Sequence, residues 1–202
     1  VSSGPCLPFS TRLHCGGNWR RTGHPSRRAV LCGGATVLMA TACRHWAGGR
    51  PIRVLVRSGW QDVNIGDIAH TPGLLAVLER EWPDAEVAVW GSPGMSDEVV
   101  AMLRARFPRV PVVRGRLADP QVETLAQSCE LLIHGSGPSF VAARDVADWV
   151  KRFGRPFGVY GISYTGAEQA VRQLLVRAAF AYFRDSVSLQ RARTDEAAPS
   201  WA

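Results

Sequence analysis

From residue 50 onward the apolar positions fall into two kinds of run that alternate along the chain. Short, apolar and often β-branched runs at 53–57, 85–90, 110–114, 129–134, 156–160 and 181–184 have the length and composition of buried strands. Between them, segments 68–78, 97–107, 120–128, 141–153 and 167–178 carry apolar residues at helical spacing. Ser96 precedes the second of these as a cap, and Asp97 and Glu98 stand in its first turn, where the helix dipole favours acids. Pro111 cannot donate a ladder bond, so 110–114 reads as an edge strand. Repeated strand-helix units with right-handed crossovers predict an α/β, Rossmann-like, doubly wound parallel sheet.

In such a sheet, ligands bind at loops leaving the carboxyl ends of strands, and a following helix N-terminus offers free N–H groups to an anion. Three loops here fit that position. The first, after 53–57, holds Gln61, Asp62, Asn64 and Asp67, with Gly59 and Gly66 conformationally free. The second is Gly135-Ser-Gly-Pro-Ser139 and the third Gly161-Ile-Ser-Tyr-Thr-Gly166, which offer Ser136, Ser139, Ser163 and Thr165 as hydroxyls. Neither is a P-loop, and neither has the GxGxxG form. Each alone also reads as plain turn chemistry; together on one edge they point to a binding cleft.

Charge changes the picture only at the amino end. The net charge is +7, but nine of the 24 basic residues precede Asp62, the first acid, so the part expected to fold is close to neutral. A nucleic-acid partner would need a basic face on the folded domain, and none is expected. Residues 1–49 read as a leader: Ser26-Arg-Arg-Ala-Val-Leu31 has the twin-arginine form, and it opens the uncharged run 29–43 with the small-x-small pattern Ala40-Thr-Ala42. That run is shorter than the roughly 20 residues a membrane span needs, so no transmembrane domain is expected. The reading is export to the periplasm or cell envelope, or a cytoplasmic protein if the leader is a misassigned start. Residues 194–202 read as a disordered tail, which leaves 50–193 as the domain.

Cysteine spacing offers no metal site, and no metal or cofactor is expected. Cys129, at the head of an apolar run, reads as a small core residue.

Asn64-Ile-Gly-Asp67 before a helix, with an Arg-containing strand and Gly59-Trp60 ahead of it, resembles the N-terminal motif of the polysaccharide pyruvyl transferase family. Leu131-Leu-Ile-His-Gly-Ser-Gly137 is similar to that family's second glycine motif, with Ser136 where a third glycine is more usual. Phe183-Arg-Asp-Ser-Val-Ser-Leu189 is similar to its arginine-aspartate-x-x-serine signature. The resemblance implies one half of a GT-B-like two-domain fold. It also implies transfer of a pyruvyl group from phosphoenolpyruvate to hydroxyls of a polysaccharide or other sugar acceptor, forming a ketal. Such a reaction needs a base for the sugar hydroxyl, an acid for the enol carbon, and cations or helix N-termini for the donor's anions.

Asp67 and His134 are the candidate catalytic residues, Asp67 as base and His134 as acid or ligand. Asn64, Gly66, His70, Gly135, Ser136, Gly137, Ser163 and Arg184 are the candidate substrate-binding residues. Each has a plainer role open to it: Asp67 as a helix cap, Asn64 closing a turn, His70 as a packed histidine, Arg184 paired with Asp185. The chain ends at Ala202, soon after the third motif, and the family's second half supplies the basic residues for phosphoenolpyruvate, so the chain reads as a fragment or a degraded relative. Phosphoenolpyruvate is cytoplasmic, which sits poorly with export. The alternatives are therefore a glycan-binding envelope domain without turnover and a GT-B-type glycosyltransferase using a nucleotide sugar. Oligomeric state is not legible.

Overall fold

The structure, a computed structural model, describes residues 50–59 and 61–199. The leader expectation, Trp60 and the last three residues lie outside the described residues. Six strands form one sheet: β1 (Arg53–Arg57), β2 (Glu86–Gly91), β3 (Val112–Arg114), β4 (Leu131–His134), β5 (Phe157–Ile162) and β6 (Phe180–Phe183). Among the described residues six helices connect or follow them: α1 (Ile65–Glu81), α2 (Asp97–Arg106), α3 (Pro120–Ser128), α4 (Ala143–Phe153), α5 (Gln169–Val176) and α6 (Ser186–Thr194). The strand order is β3-β2-β1-β4-β5-β6 and every pairing is parallel. This is the doubly wound, Rossmann-like arrangement the alternating pattern predicts.

The pleat of β1 explains why its residues are apolar on both faces. Val54 and Val56 point into one core with Leu74, Leu75 and Leu78 of α1 and Val99 and Leu103 of α2. Leu55 points the other way, into a core with Trp90, Leu132, Trp149 of α4 and Leu175 of α5. Each buried Leu or Val contributes about 1.5–3 kcal/mol relative to exposure, so the two layers clamp the sheet from both sides. Among the described residues no helix is long and apolar enough to cross a membrane.

Most element bounds shift by one to three residues from the sequence reading, and four differences bear on the site or the core. Helix α1 begins at Ile65, because Asn64 takes extended angles (φ −140°, ψ 150°) and accepts the Asp67 N–H. Strand β3 begins at Val112, after Pro111. Strand β5 runs on to Ile162 past an irregularity at Tyr160/Ile162, and this carries it alongside Gly137. The fourth difference is α6, which follows β6 and is absent from the pattern-based reading. Asp185 caps it, accepting the Ser188 N–H at 2.7 Å and its hydroxyl at 3.1 Å. The arginine-aspartate-x-x-serine signature is thus a helix start. Past α6, Ala197 is fully buried and its N–H bonds to Ala192 O, so the domain's core extends into the stretch expected to be tail.

Candidate functional site

The strand order reverses direction between β1 and β4, and the loops leaving these two strands face one crevice at the carboxyl edge. Two contacts between distant parts of the chain build its floor. Ser58, just past β1, shares a 2.8 Å hydroxyl hydrogen bond with Thr71 of α1, and both are buried. Gly135, just past β4, lies so close to Ser58 that an added Cβ would meet Ser58 Oγ at 2.7 Å. Only a glycine lets the two strand ends come together here.

On this floor the structure brings together four of the expected site residues. Ser136 Oγ and His70 Nδ1 are 2.7 Å apart, and both residues are half-buried. Gly137 bridges to Ile162, and its carbonyl accepts the Ser163 N–H at 3.3 Å. Gly161, with φ +73°, lies so close that a Cβ there would meet Ser136 Cβ at 3.0 Å. Two strand ends and one helix therefore hold the Ser136 hydroxyl in place.

Asn64, Gly66 and Asp67 stand one to two turns earlier on the same edge, where they form the start of α1. Asn64 Oδ1 accepts the Asp67 N–H at 2.9 Å, while the Asp67 carboxylate accepts from the Asn64 side-chain amide and, at 2.6 Å, from Gln61 Nε2. A Cβ on Gly66 would press on Asn64 Oδ1 at 3.2 Å. Two consequences follow. The Asp67 carboxylate has its donors already, both of them side-chain amides, while the cap itself is Asn64 Oδ1 on the Asp67 N–H. And Asp67 sets a carboxylate in the first turn of α1, so a phosphate brought to that helix N-terminus meets like charge. Asn64→Ala should cost about 1 kcal/mol of stability, read as a lowered urea midpoint, because it removes the cap and releases this carboxylate.

His134 is placed differently from the expectation of an edge acid. It is fully buried, edge-on to the Phe140 ring with centroids 4.8 Å apart, and its Nε2 accepts the Ala142 N–H at 3.2 Å. Burial drives its pKa down from 6.5 to about 3, and the Arg57 charge pushes the same way. A neutral ring with Nε2 committed to a backbone amide fixes the 135–142 loop; near neutral pH it is not the imidazolium that a general acid would have to be.

The sequence reading missed Arg57 as a structural charge. Its Nε donates to Asp145 Oδ2 at 2.8 Å, its NH1 group donates to the carbonyls of Ser58 and Trp90, and it sits 4.8 Å over the Trp90 ring. Burial lowers its pKa and the neighbouring Asp145 opposes that. A charged residue closing an apolar strand, with an acid in the first turn of α4, was the available signal. Arg184 stands exposed at the end of β6, two strands from β4, with its backbone N–H on Ile162 O. Cys129 is buried, its thiol pushed up to about 11 chiefly by burial, and it takes no part in the edge chemistry. Among the described residues no cluster of three His, Cys, Asp or Glu side chains can hold a metal ion.

A cleft of about 470 Å³ lies at the opposite, amino edge of the sheet between Trp82, Glu86, Phe107 and Arg109. Its most prominent charges, Arg53 and Glu86, pair with each other at 2.8 Å, and it holds no hydroxyl–imidazole or glycine-lined group like that of the carboxyl edge. Chemistry favours the β1–β4 crevice.

No protein-family model and no curated protein matches the chain. Among solved structures, the TrkA-N domain of the inner membrane protein ybaL from Escherichia coli is similar over 72% of this chain and 96% of its own, at 19% identity and a TM-score of 0.43. The cypemycin decarboxylase CypD is similar over 73% of this chain and 95% of its own, at 16% identity and a TM-score of 0.44.

Proposed function

We propose that this chain is the acceptor-binding, Rossmann-like half of a polysaccharide pyruvyl transferase-like enzyme, acting on sugar hydroxyls of a cell-envelope polysaccharide. The observation that carries the proposal is the character of the β1–β4 crevice. It presents hydroxyls, an imidazole and an amide–carboxylate pair, while Asp67 adds a negative charge to the first turn of the adjoining helix. Such a surface matches a neutral polyhydroxy ligand better than a phosphate. It therefore suits the sugar, and leaves the anions of phosphoenolpyruvate to basic residues of a second domain. The choice of pyruvyl transfer among sugar modifications rests on the three motifs, two of which border this crevice.

In the reaction the acceptor hydroxyl loses its proton as its oxygen bonds to C2 of phosphoenolpyruvate, C3 gains a proton, and phosphate departs as a second hydroxyl closes the ketal. The test is to express the full reading frame that holds this chain, incubate the product with phosphoenolpyruvate and a panel of hexose polysaccharides, and follow phosphate release and the mass of the product sugar. Sugar-dependent phosphate release with a ketal-bearing product is the expected result. A nucleoside diphosphate that stabilises the protein against heat where phosphoenolpyruvate does not would replace this reading with nucleotide-sugar transfer.

One observation favours a second reading, a glycan-binding envelope domain without turnover: the Asp67 carboxylate is already bonded by Gln61 and Asn64. Retention of polysaccharide with no phosphate release would select it.

A further inference from the structure

The hydrogen bond between Ser136 and His70 joins groups 66 residues apart in sequence, at the point of the sheet where ligands bind. We propose that Ser136 and His70 form a nucleophile–base pair that accepts an acyl group from an ester, an activity separate from the transfer proposed above.

Three features carry this. The 2.7 Å separation lets the Ser136 hydroxyl donate to His70 Nδ1, the contact by which an imidazole activates a serine. Both partners are held from behind. Ser136 is confined by the close approaches of Gly161 to its Cβ and of its neighbour Gly135 to Ser58, and His70 precedes Thr71, which is tied to Ser58 in the buried floor. A hydroxyl so fixed needs little reorganisation to attack. Finally, Ser136 is itself half-buried and not enclosed, its flanking residues Gly135 and Gly137 carry no side chains to crowd it, and the loop beyond is exposed at Pro138 and Ser139.

The step balances as follows. Ser136 Oγ bonds to the ester carbonyl carbon while its proton passes to His70 Nδ1. The alkoxide or phenoxide then leaves, taking that proton where its basicity requires it, and an acyl-serine remains. Water, deprotonated by His70, attacks the acyl carbon and restores the free hydroxyl with release of a carboxylic acid.

A plain structural tie between α1 and the β4 loop would give the same hydrogen bond, and the test separates the two. The whole chain is treated with a fluorophosphonate and, in parallel, with 4-nitrophenyl acetate, and adducts are located by peptide mass. The expected result is one equivalent of fluorophosphonate on Ser136, together with nitrophenolate release by the same protein. His70→Gln should slow both reactions by about 100-fold or more. Absence of an adduct on Ser136 in the unaltered protein, or an adduct formed at the same rate in His70→Gln, overturns the proposal. The unaltered protein supplies the first of these answers, so the result does not depend on a variant folding. Labelling of Ser136 without pyruvyl transfer would leave this pair standing and remove the transferase reading; the converse would do the reverse.

Discussion

Between pH 6.5 and 4 the folded protein should lose roughly 3 kcal/mol of stability through a single side chain, His134. Burial holds its pKa at about 3 in the folded state, against 6.5 for the free side chain. Below pH 6.5 the unfolded chain takes up a proton that the folded chain refuses until about pH 3. The stabilisation is therefore complete above pH 6.5 and falls by about 1.4 kcal/mol for each unit of acidification below it. Asp185, held low first by the Ser188 N–H, acts later and matters only below its ordinary 3.8. The measurement is the urea midpoint from pH 4 to 7 for the protein and for His134→Gln, whose side chain has no such titration. The variant should be less stable at pH 7 and much flatter with pH; two parallel curves would show that His134 titrates in the native state.

Trp90→Ala is expected to cost about 4 kcal/mol, a large share of the 5–15 kcal/mol that stabilises a typical domain. The indole is fully enclosed at the end of β2, with Arg57 over its ring and its Nε1 donating to Gly115 O at 2.8 Å. Removing it opens a cavity, strips the carbonyl of its donor and leaves the Arg57 guanidinium without its aromatic floor. Melting should fall by roughly 8–16 °C at about 2–4 °C per kcal/mol for a domain of this size. Trp90→Phe keeps most of the volume and loses the hydrogen bond, so about 1–2 kcal/mol is expected. A loss in Trp90→Ala no larger than in Trp90→Phe would mean that the void closes by collapse and that the ring is not the support described.

The sheet was legible because its signal is local. Val54, Leu55 and Val56, or Leu131, Leu132 and Ile133, are apolar on consecutive positions, as strands covered on both faces must be. The start of α1 at Asn64 and the whole of α6 were misread for the same reason: their evidence is a cap, not a period. Asp185-x-x-Ser188 spells a helix start, but Val187 is exposed and Ala192 small, so no apolar stripe announces the helix behind it. At the candidate site, sequence could place Ser136 and His70 on loops or early helix turns at the same edge. It could not place them in contact, since that depends on β4 pairing with β1. His134 was misjudged because the ring that covers it, Phe140, arrives on a loop whose path no short-range pattern sets.

Arg53, at the start of β1, meets Glu86 33 residues later and Glu130 77 residues later. The partners of β1 are thus made at very different times as a chain is synthesised. Once β2 and β3 have emerged, one side of β1 can pair, while the other keeps a bare row of N–H and C=O groups until β4 follows. Doubling a closed loop adds only about 0.6 kcal/mol in chain entropy, so the finished sheet loses little by this order. The growing chain is exposed to more: an apolar strand with an open edge is a template for any other strand that meets it. The same late pairing delivers Ser136 to His70, so chains that stall before β4 are both the most prone to stick together and devoid of the crevice.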